Sequence, residues 1–349
     1  MTFSRLSRRL TLVGALVLAT AGTVVMAPLA NADQAPQAAR PGVYLYAALY
    51  QHNEVQAVDT ATNEVVATIP VGGDPLHLAL APNGKRLYVA NAVSDTISVI
   101  NTRTNTVIDT IATPTDPQAI VVTPNSKRVY VITGSPGEGD VTVVDAHTDT
   151  VLTTITGTDA NGLIPSPDGR YVYLTDNVDG NNIGVISTRT NTEVRAFYVS
   201  ALEGVSGALA INSAGTLLYV ADAIYQVNVV DPLTGVETTP LEPNRQLGPI
   251  ALSPDDNTLY YGDEELEGPG ALGVISLDGG TNATYSTDYD PASLAPTPDG
   301  RTIYLAQSQF NDNPGTTLSA LNTSTGATVA GVTLAGAPTQ IVLGAIPHT

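Results

Sequence analysis

The chain has 349 residues, with 14 Lys and Arg against 33 Asp and Glu and a formal net charge of −19 at pH 7. A surface of that sign repels phosphate backbones and anionic lipid, so nucleic acid is not an expected partner. The sequence contains no Cys, which removes disulfides, thiol catalysis, thiolate metal sites and a lipid-modified cysteine.

The first 32 residues read as a cleaved export signal. Arg5, Arg8 and Arg9 form a basic start, Leu10 to Leu29 is uncharged and mostly apolar, and Ala30-Asn31-Ala32 offers small residues to a signal peptidase. Cleavage near Ala32 is expected to leave Asp33 first and to place the protein in an extracellular, cell-surface or periplasmic location. Ser7-Arg8-Arg9-Leu10-Thr11-Leu12 partly matches a twin-arginine signal, but Thr11 departs from it, so the general secretory route stays open. No later stretch is long and apolar enough to span a bilayer. Without the three signal arginines the balance is 11 minus 33, or −22. Residues 33–42 read as a flexible lead-in.

From residue 43 the chain repeats itself. One unit is Leu87-Tyr88-Val89-Ala90-Asn91, then Thr96-Ile97-Ser98-Val99-Ile100-Asn101-Thr102, then Thr106-Val107-Ile108-Asp109-Thr110-Ile111. The marker tyrosines are Tyr46, Tyr88, Tyr130, Tyr173, Tyr219, Tyr260 and Tyr304, spaced by 41 to 46 residues. That is the size of a propeller blade, and seven units are expected over residues 43–349 as one domain. Each unit reads as four antiparallel strands, a to d. Turns such as Pro82-Asn83-Gly84 and Pro298-Asp299-Gly300 join a to b. Strands b and c are apolar at nearly every position, as expected when both faces of a sheet are buried. The tyrosines then pack between blades. Because the repeats start at a b strand near Val43 and end with an a-type strand, Pro338 to Leu343, the C-terminal strand is expected to complete the first blade.

The Leu-Tyr-Val-Ala-Asn strand, the Ile-Ser-Val-Ile-Asn-Thr strand and the Pro-Asp-Gly turn resemble the YVTN-type β-propeller repeat, over residues 43–346. The resemblance implies a propeller of the kind found in exported bacterial and archaeal proteins, similar to surface-layer and lactonase-type propellers. It carries over no catalytic residues.

Antiparallel order puts the b–c and d–a loops on one face, where loop lengths vary, and the function is expected there. Four units place a carboxylate just before strand a: Asp74, Asp116, Asp159 and Asp290. Such a ring at a channel mouth suits a cation such as Ca²⁺ or Mg²⁺, although the same residues also suit local capping of the loop. Inside it, His77, Gln118, Asn161 and Gln340 are candidate channel-lining groups, and His77 is the one candidate acid or base. Tyr50, Tyr225, Tyr289 and Phe310 are the candidate contact aromatics of the variable loops. Glu264, Glu265 and Glu267 form an acidic run that reads as a solvated loop. The leading expectation is a monomeric, non-catalytic binding propeller that needs no cofactor and presents this acidic face to a protein, a cell-wall component, a small molecule or a cation. The alternative is a metal-dependent lactonase-like hydrolase or lyase, with Asp74, Asp116, Asp159 and Asp290 on the metal.

Overall fold

A computed structural model describes residues 42–135, 139–176, 182–200, 205–222, 225–243, 245–263, 270–307 and 316–346. The described residues contain strands and no helix. In chain order the first strands are β1 (Gly42–Leu49), β2 (Glu54–Asp59), β3 (Glu64–Pro70), β4 (Pro75–Leu80), β5 (Arg86–Asn91), β6 (Thr96–Asn101) and β7 (Thr106–Ala112). Then come β8 (Pro117–Val122), β9 (Arg128–Thr133), β10 (Gly139–Asp145), β11 (Thr150–Pro165), β12 (Tyr171–Asp176), β13 (Asn182–Ser187) and β14 (Thr192–Tyr198). After them follow β15 (Val205–Ile211), β16 (Leu218–Asp222), β17 (Val227–Val230), β18 (Leu247–Leu252), β19 (Thr258–Asp263), β20 (Ala271–Ser276) and β21 (Ala283–Ser286). The last are β22 (Pro291–Pro296), β23 (Thr302–Gln307), β24 (Thr317–Asn322), β25 (Thr328–Thr333) and β26 (Pro338–Ile346).

The architecture is an all-β propeller, but the strands do not divide into seven four-stranded blades. Hydrogen bonding yields five discrete blade-sized sheets and one continuous sheet of seven strands, β14-β13-β12-β11-β10-β9-β8. Four of the discrete sheets have four strands, and β15-β16-β17 has three. Two local causes account for the departure from the repeat. The first is that β11 does not break where an outer strand should end and the next inner strand begin. It bends at Gly157 and Asp159, both at positive φ (69° and 44°), pairs with β10 from Thr150 to Ile155 and once more at Ala160, and pairs with β12 from Ala160 onward. The second is that the segment beyond β17 contains Pro232 and Pro240, which lack an N–H to donate. Only isolated bridges form there, Val227 with Leu241 and Val230 with Glu237.

The C-terminal strand takes the inner place in the first sheet, in the order β26-β1-β2-β3. Eight residue pairs run from Gly42↔Ile346 to Leu49↔Pro338. This pairing joins the two ends of the chain and covers two sheet edges that would otherwise be open.

Central strands are buried on both faces, as in β6, where Ile97 to Ile100 are all buried, while β7 on the rim is exposed at all positions but one. The marker tyrosines lie in those buried strands, and Tyr46, Tyr88 and Tyr130 have no exposed surface. Their hydroxyls reach the next unit. Tyr46 donates to Asn105 Oδ1 at 3.1 Å, Tyr88 to the Ala146 carbonyl at 3.2 Å, and Tyr130 to Asn191 Oδ1 at 2.8 Å. Tyr304 donates to Asn63 Oδ1 at 2.7 Å and so links the last sheet to the first. Asn63, Asn105 and Asn191 sit at φ of 57°, 51° and 54°, a left-handed conformation that asparagine tolerates better than most residues. Burial pushes the Tyr130 hydroxyl up to about 12, so it remains a donor at neutral pH.

Removing residues 337–349 deletes β26 with its buried Ile341 and Ile346, each worth about 1.5–3 kcal/mol. The midpoint of thermal unfolding is expected to fall by roughly 10 °C or more, read by circular dichroism; an unchanged midpoint would contradict the closure. Tyr130→Phe and Asn191→Ala should each cost about 1 kcal/mol and together less than their sum, a coupling measurable in a double-mutant cycle.

Candidate functional site

Seven inner strands surround an axial channel: β4, β8, the C-terminal part of β11, β15, β18, β22 and β26. Each lies beside the next, and β26 lies beside β4. They enclose a cavity of about 940 Å³. Six of the inner strands pair antiparallel with the strand that follows, and β26 pairs antiparallel with β1 in the same way, so all enter the channel from the same end. Residues at strand starts therefore share one level, and residues at strand ends share another. The upper level carries neutral polar groups from His77, Gln118, Asn161, Gln246, Ser293 and Gln340. The lower level is apolar, with Leu80, Ile120, Leu163 and Leu343 among its residues. Neighbouring inner strands come very close at one point. A Cβ on Gly162 would lie 2.1 Å from the Gly207 carbonyl oxygen, and Gly207 itself is at φ 78°.

Some of the polar groups hold the ring together. The Gln340 side-chain oxygen accepts the Leu78 N–H, Thr339 donates to the Pro75 carbonyl at 3.1 Å, and Ser293 accepts the Ile341 N–H at 3.2 Å. Gln340 thus joins the first sheet to the second. Burial pulls the His77 imidazole down to about 4, so it is neutral across the physiological range. At neutral pH the polar level carries no charge.

Asp74, Asp116, Asp159 and Asp290 sit just outside that level. The b–c and d–a loops do share this face. Val71 N–H bonds the Asn53 carbonyl, Ala92 N–H the Asp74 carbonyl, Gly134 N–H the Asp116 carbonyl, and Thr287 N–H the Gly270 carbonyl. These loops are held by main-chain bonds, and Asp74 turns at φ 50°. The carboxylates differ in their surroundings. Asp116 Oδ1 and Asp290 Oδ1 are buried with no hydrogen-bond partner. Burial raises both groups above the ordinary carboxylate range. The field of Asp95 adds to this at Asp116, where the Gln118 amide opposes it, and that of Asp263 adds to it at Asp290. Among the described residues, no three of His, Asp and Glu converge closely enough to hold one metal ion.

Tyr50 and Tyr225 are exposed on this face, and Tyr289 is half-buried behind Asp290. The Tyr225 N–H is held by Asp222 Oδ1 at 2.8 Å. Phe310, Glu264, Glu265 and Glu267 lie outside the described residues. Sequence reasoning missed the pair formed by Arg245 and the buried Asp263, 2.8 Å apart. Asp263 closes its b strand where Asn91 closes another, and that shared position was the available signal.

Because folding raises the Asp116 and Asp290 pKa values, the folded state favours their protonated forms. Stability from this source is present at acid pH and is lost as pH rises through the raised values. Asp116→Asn and Asp290→Asn are therefore expected to raise the melting temperature by a few degrees at pH 7. The gain should vanish toward pH 4, in thermal denaturation scans across that range.

The family described as YNCE-like beta-propeller matches residues 6–136. No curated protein matches the sequence. Several solved structures share the fold. A chain of Kuenenia stuttgartiensis hydrazine synthase aligns at TM-score 0.68 and 20% identity, covering 78% of this chain and 92% of that one. A functionally unknown protein from Desulfotomaculum acetoxidans aligns at TM-score 0.72 and 14% identity, over 86% and 98%. A candidate 6-phosphogluconolactonase from Bacteroides uniformis aligns at TM-score 0.67 and 18% identity, over 87% and 100%. At these identities the likeness is one of fold, and folds of this kind carry unrelated functions. The chain is a β-propeller that matches the YNCE-like family over residues 6–136, consistent with the YVTN-type resemblance of its repeats.

Proposed function

We propose that this protein is an exported, non-catalytic binding propeller whose acidic channel mouth receives a cationic group of a protein or cell-wall partner. The observation that carries this reading is the pair of buried, unpartnered carboxylate oxygens on Asp116 and Asp290. A buried carboxylate oxygen without a donor is costly, and an ammonium or guanidinium group entering the mouth would satisfy it. The neutral amide level beneath, at Gln118, Asn161 and Gln246, can hydrogen-bond the uncharged part of the same ligand. His77 has a conjugate acid too strong for it to hold a proton at neutral pH, which favours binding over acid–base turnover. The location outside the cytoplasm rests on the N-terminal signal pattern.

The test uses tri-lysine as the probe, with CaCl₂ and MgCl₂ in parallel and δ-gluconolactone as a hydrolysis substrate. Tri-lysine is expected to raise the melting temperature at low ionic strength. The shift should shrink in 0.5 M NaCl and disappear in the Asp116→Asn/Asp290→Asn variant, while lactone hydrolysis stays at background. A flat response to tri-lysine overturns the proposal. Lactone turnover that needs a divalent ion and is lost in His77→Gln would replace it with the hydrolase reading.

A further inference from the structure

On the opposite face, the a–b and c–d turns form a second cavity of about 470 Å³. It lies between the β4–β7 sheet and the first strands of the seven-stranded sheet. Its wall includes Lys85, Arg86, Lys127, Arg128, Asp145 and His147. The chain has two lysines in all, and both are here. Counting His147 as neutral, the wall carries four positive groups and one negative, or +3. Asp149, paired with Arg86, reduces this to +2. On a chain whose mature charge is −22 this is an isolated basic patch.

The arginines are already engaged. Arg86 bonds Asp149 at 2.6 Å and Arg128 bonds Asp145 at 2.7 Å. Among the described residues, neither Lys85 nor Lys127 has a carboxylate within ion-pair distance. The two lysines occupy equivalent places in adjacent units. Ser126 Oγ accepts the Asn83 N–H at 3.2 Å and ties their turns together.

The fold does not require the lysines. The carbonyls of Lys85 and Lys127 accept the N–H groups of Thr102 and Ala146. Arg170, Asn257 and Arg301, at the equivalent positions, do the same through their carbonyls. The main chain makes the turn whatever the side chain. Only these two adjacent units carry a Lys-Arg pair after the turn; the others read Arg170-Tyr171, Thr216-Leu217, Asn257-Thr258 and Arg301-Thr302.

We infer that this cavity is a binding site for a phosphate dianion, free or as a monoester, held between Lys85 and Lys127. Two unpaired ammonium groups match two negative charges, and lysine binds phosphate as a point charge. The Ser126 hydroxyl can donate a further hydrogen bond, and a phosphate monoester has lost most of its second proton at neutral pH. The site is separate from the channel mouth, and its test does not depend on the function proposed there.

The experiment titrates the purified protein with inorganic phosphate and with glycerol 3-phosphate at constant ionic strength, following ³¹P line broadening and the melting temperature. Saturable binding is expected, weakened about tenfold by each of Lys85→Gln and Lys127→Gln. These exposed changes should leave the ligand-free melting temperature unchanged, which separates lost binding from lost folding. Glycerophosphodiester, with one charge, should bind more weakly than the monoester. Four results would each overturn the inference. These are no binding at 20 mM phosphate, equal binding in Lys85→Gln/Lys127→Gln, stronger binding of tetraglutamate than of phosphate, and salt-sensitive self-association abolished by the same variants.

Discussion

The ring depends on tyrosines of the buried strands, Tyr46, Tyr88, Tyr130 and Tyr304, each reaching a turn of the next unit. A tyrosine offers a large apolar body and one donor, and here the body fills the space between sheets while the hydroxyl meets a fixed acceptor. The acceptor is fixed because Asn63, Asn105 and Asn191 hold a left-handed turn conformation that presents their side-chain oxygen. Apolar packing alone has no direction, so the sheets could slide over one another. The hydroxyl bonds of Tyr46 and Tyr88 pin one sheet to a turn of the next, that of Tyr130 ties two units within the seven-stranded sheet, and Tyr304 on Asn63 carries the same bond across the junction between the last sheet and the first.

The tyrosine contacts lie toward the face of short turns, and the other face is correspondingly free to vary. There several loops rest on main-chain bonds such as Ala92 N–H to the Asp74 carbonyl, and Asp222 and Asp140 accept the Tyr225 and Gly157 N–H groups, while Asp116 and Asp290 each keep one buried oxygen without a partner. The result is a graded axis with charge at the mouth, neutral amides below it and aliphatic side chains at the far end. Burying an unpaired carboxylate oxygen costs stability. Its retention at Asp116 and Asp290 sets these two positions apart from Asp145 and Asp168, whose carboxylates accept main-chain N–H bonds.

The irregularities have the same local character. A repeat with a strict strand break would give a separate sheet for every unit. Gly157 and Asp159 instead let β11 bend and continue, so one strand serves as the rim of one unit and the inner strand of the next. Near β17, prolines replace donors and the outer strand reduces to bridges. Both deviations leave the inner ring intact, because the ring is made by strands a and by the tyrosine contacts, which lie elsewhere.

The sequence by itself determined the class of fold, the packing role of the tyrosines, the two faces and the closure of β26 on β1. All of these follow from short-range periodicity repeated many times, and each repeat reports independently on the same geometry. It also put Asp74, Asp116, Asp159 and Asp290 at equivalent positions near the axis. Only the tertiary structure decided how the units divide into sheets, because a bend at Gly157 is one backbone choice among several open to that residue. It also decided that Gln340 staples two inner strands, that the four aspartates do not converge on one point, and that two of them bury an oxygen. Those outcomes depend on distances between units, and a repeat pattern contains no such distances. The pairing of Lys85 with Lys127 is of the same kind. Each lysine follows an ordinary turn, and they become one site because adjacent units bring those turns together and the neighbouring arginines have taken the available carboxylates.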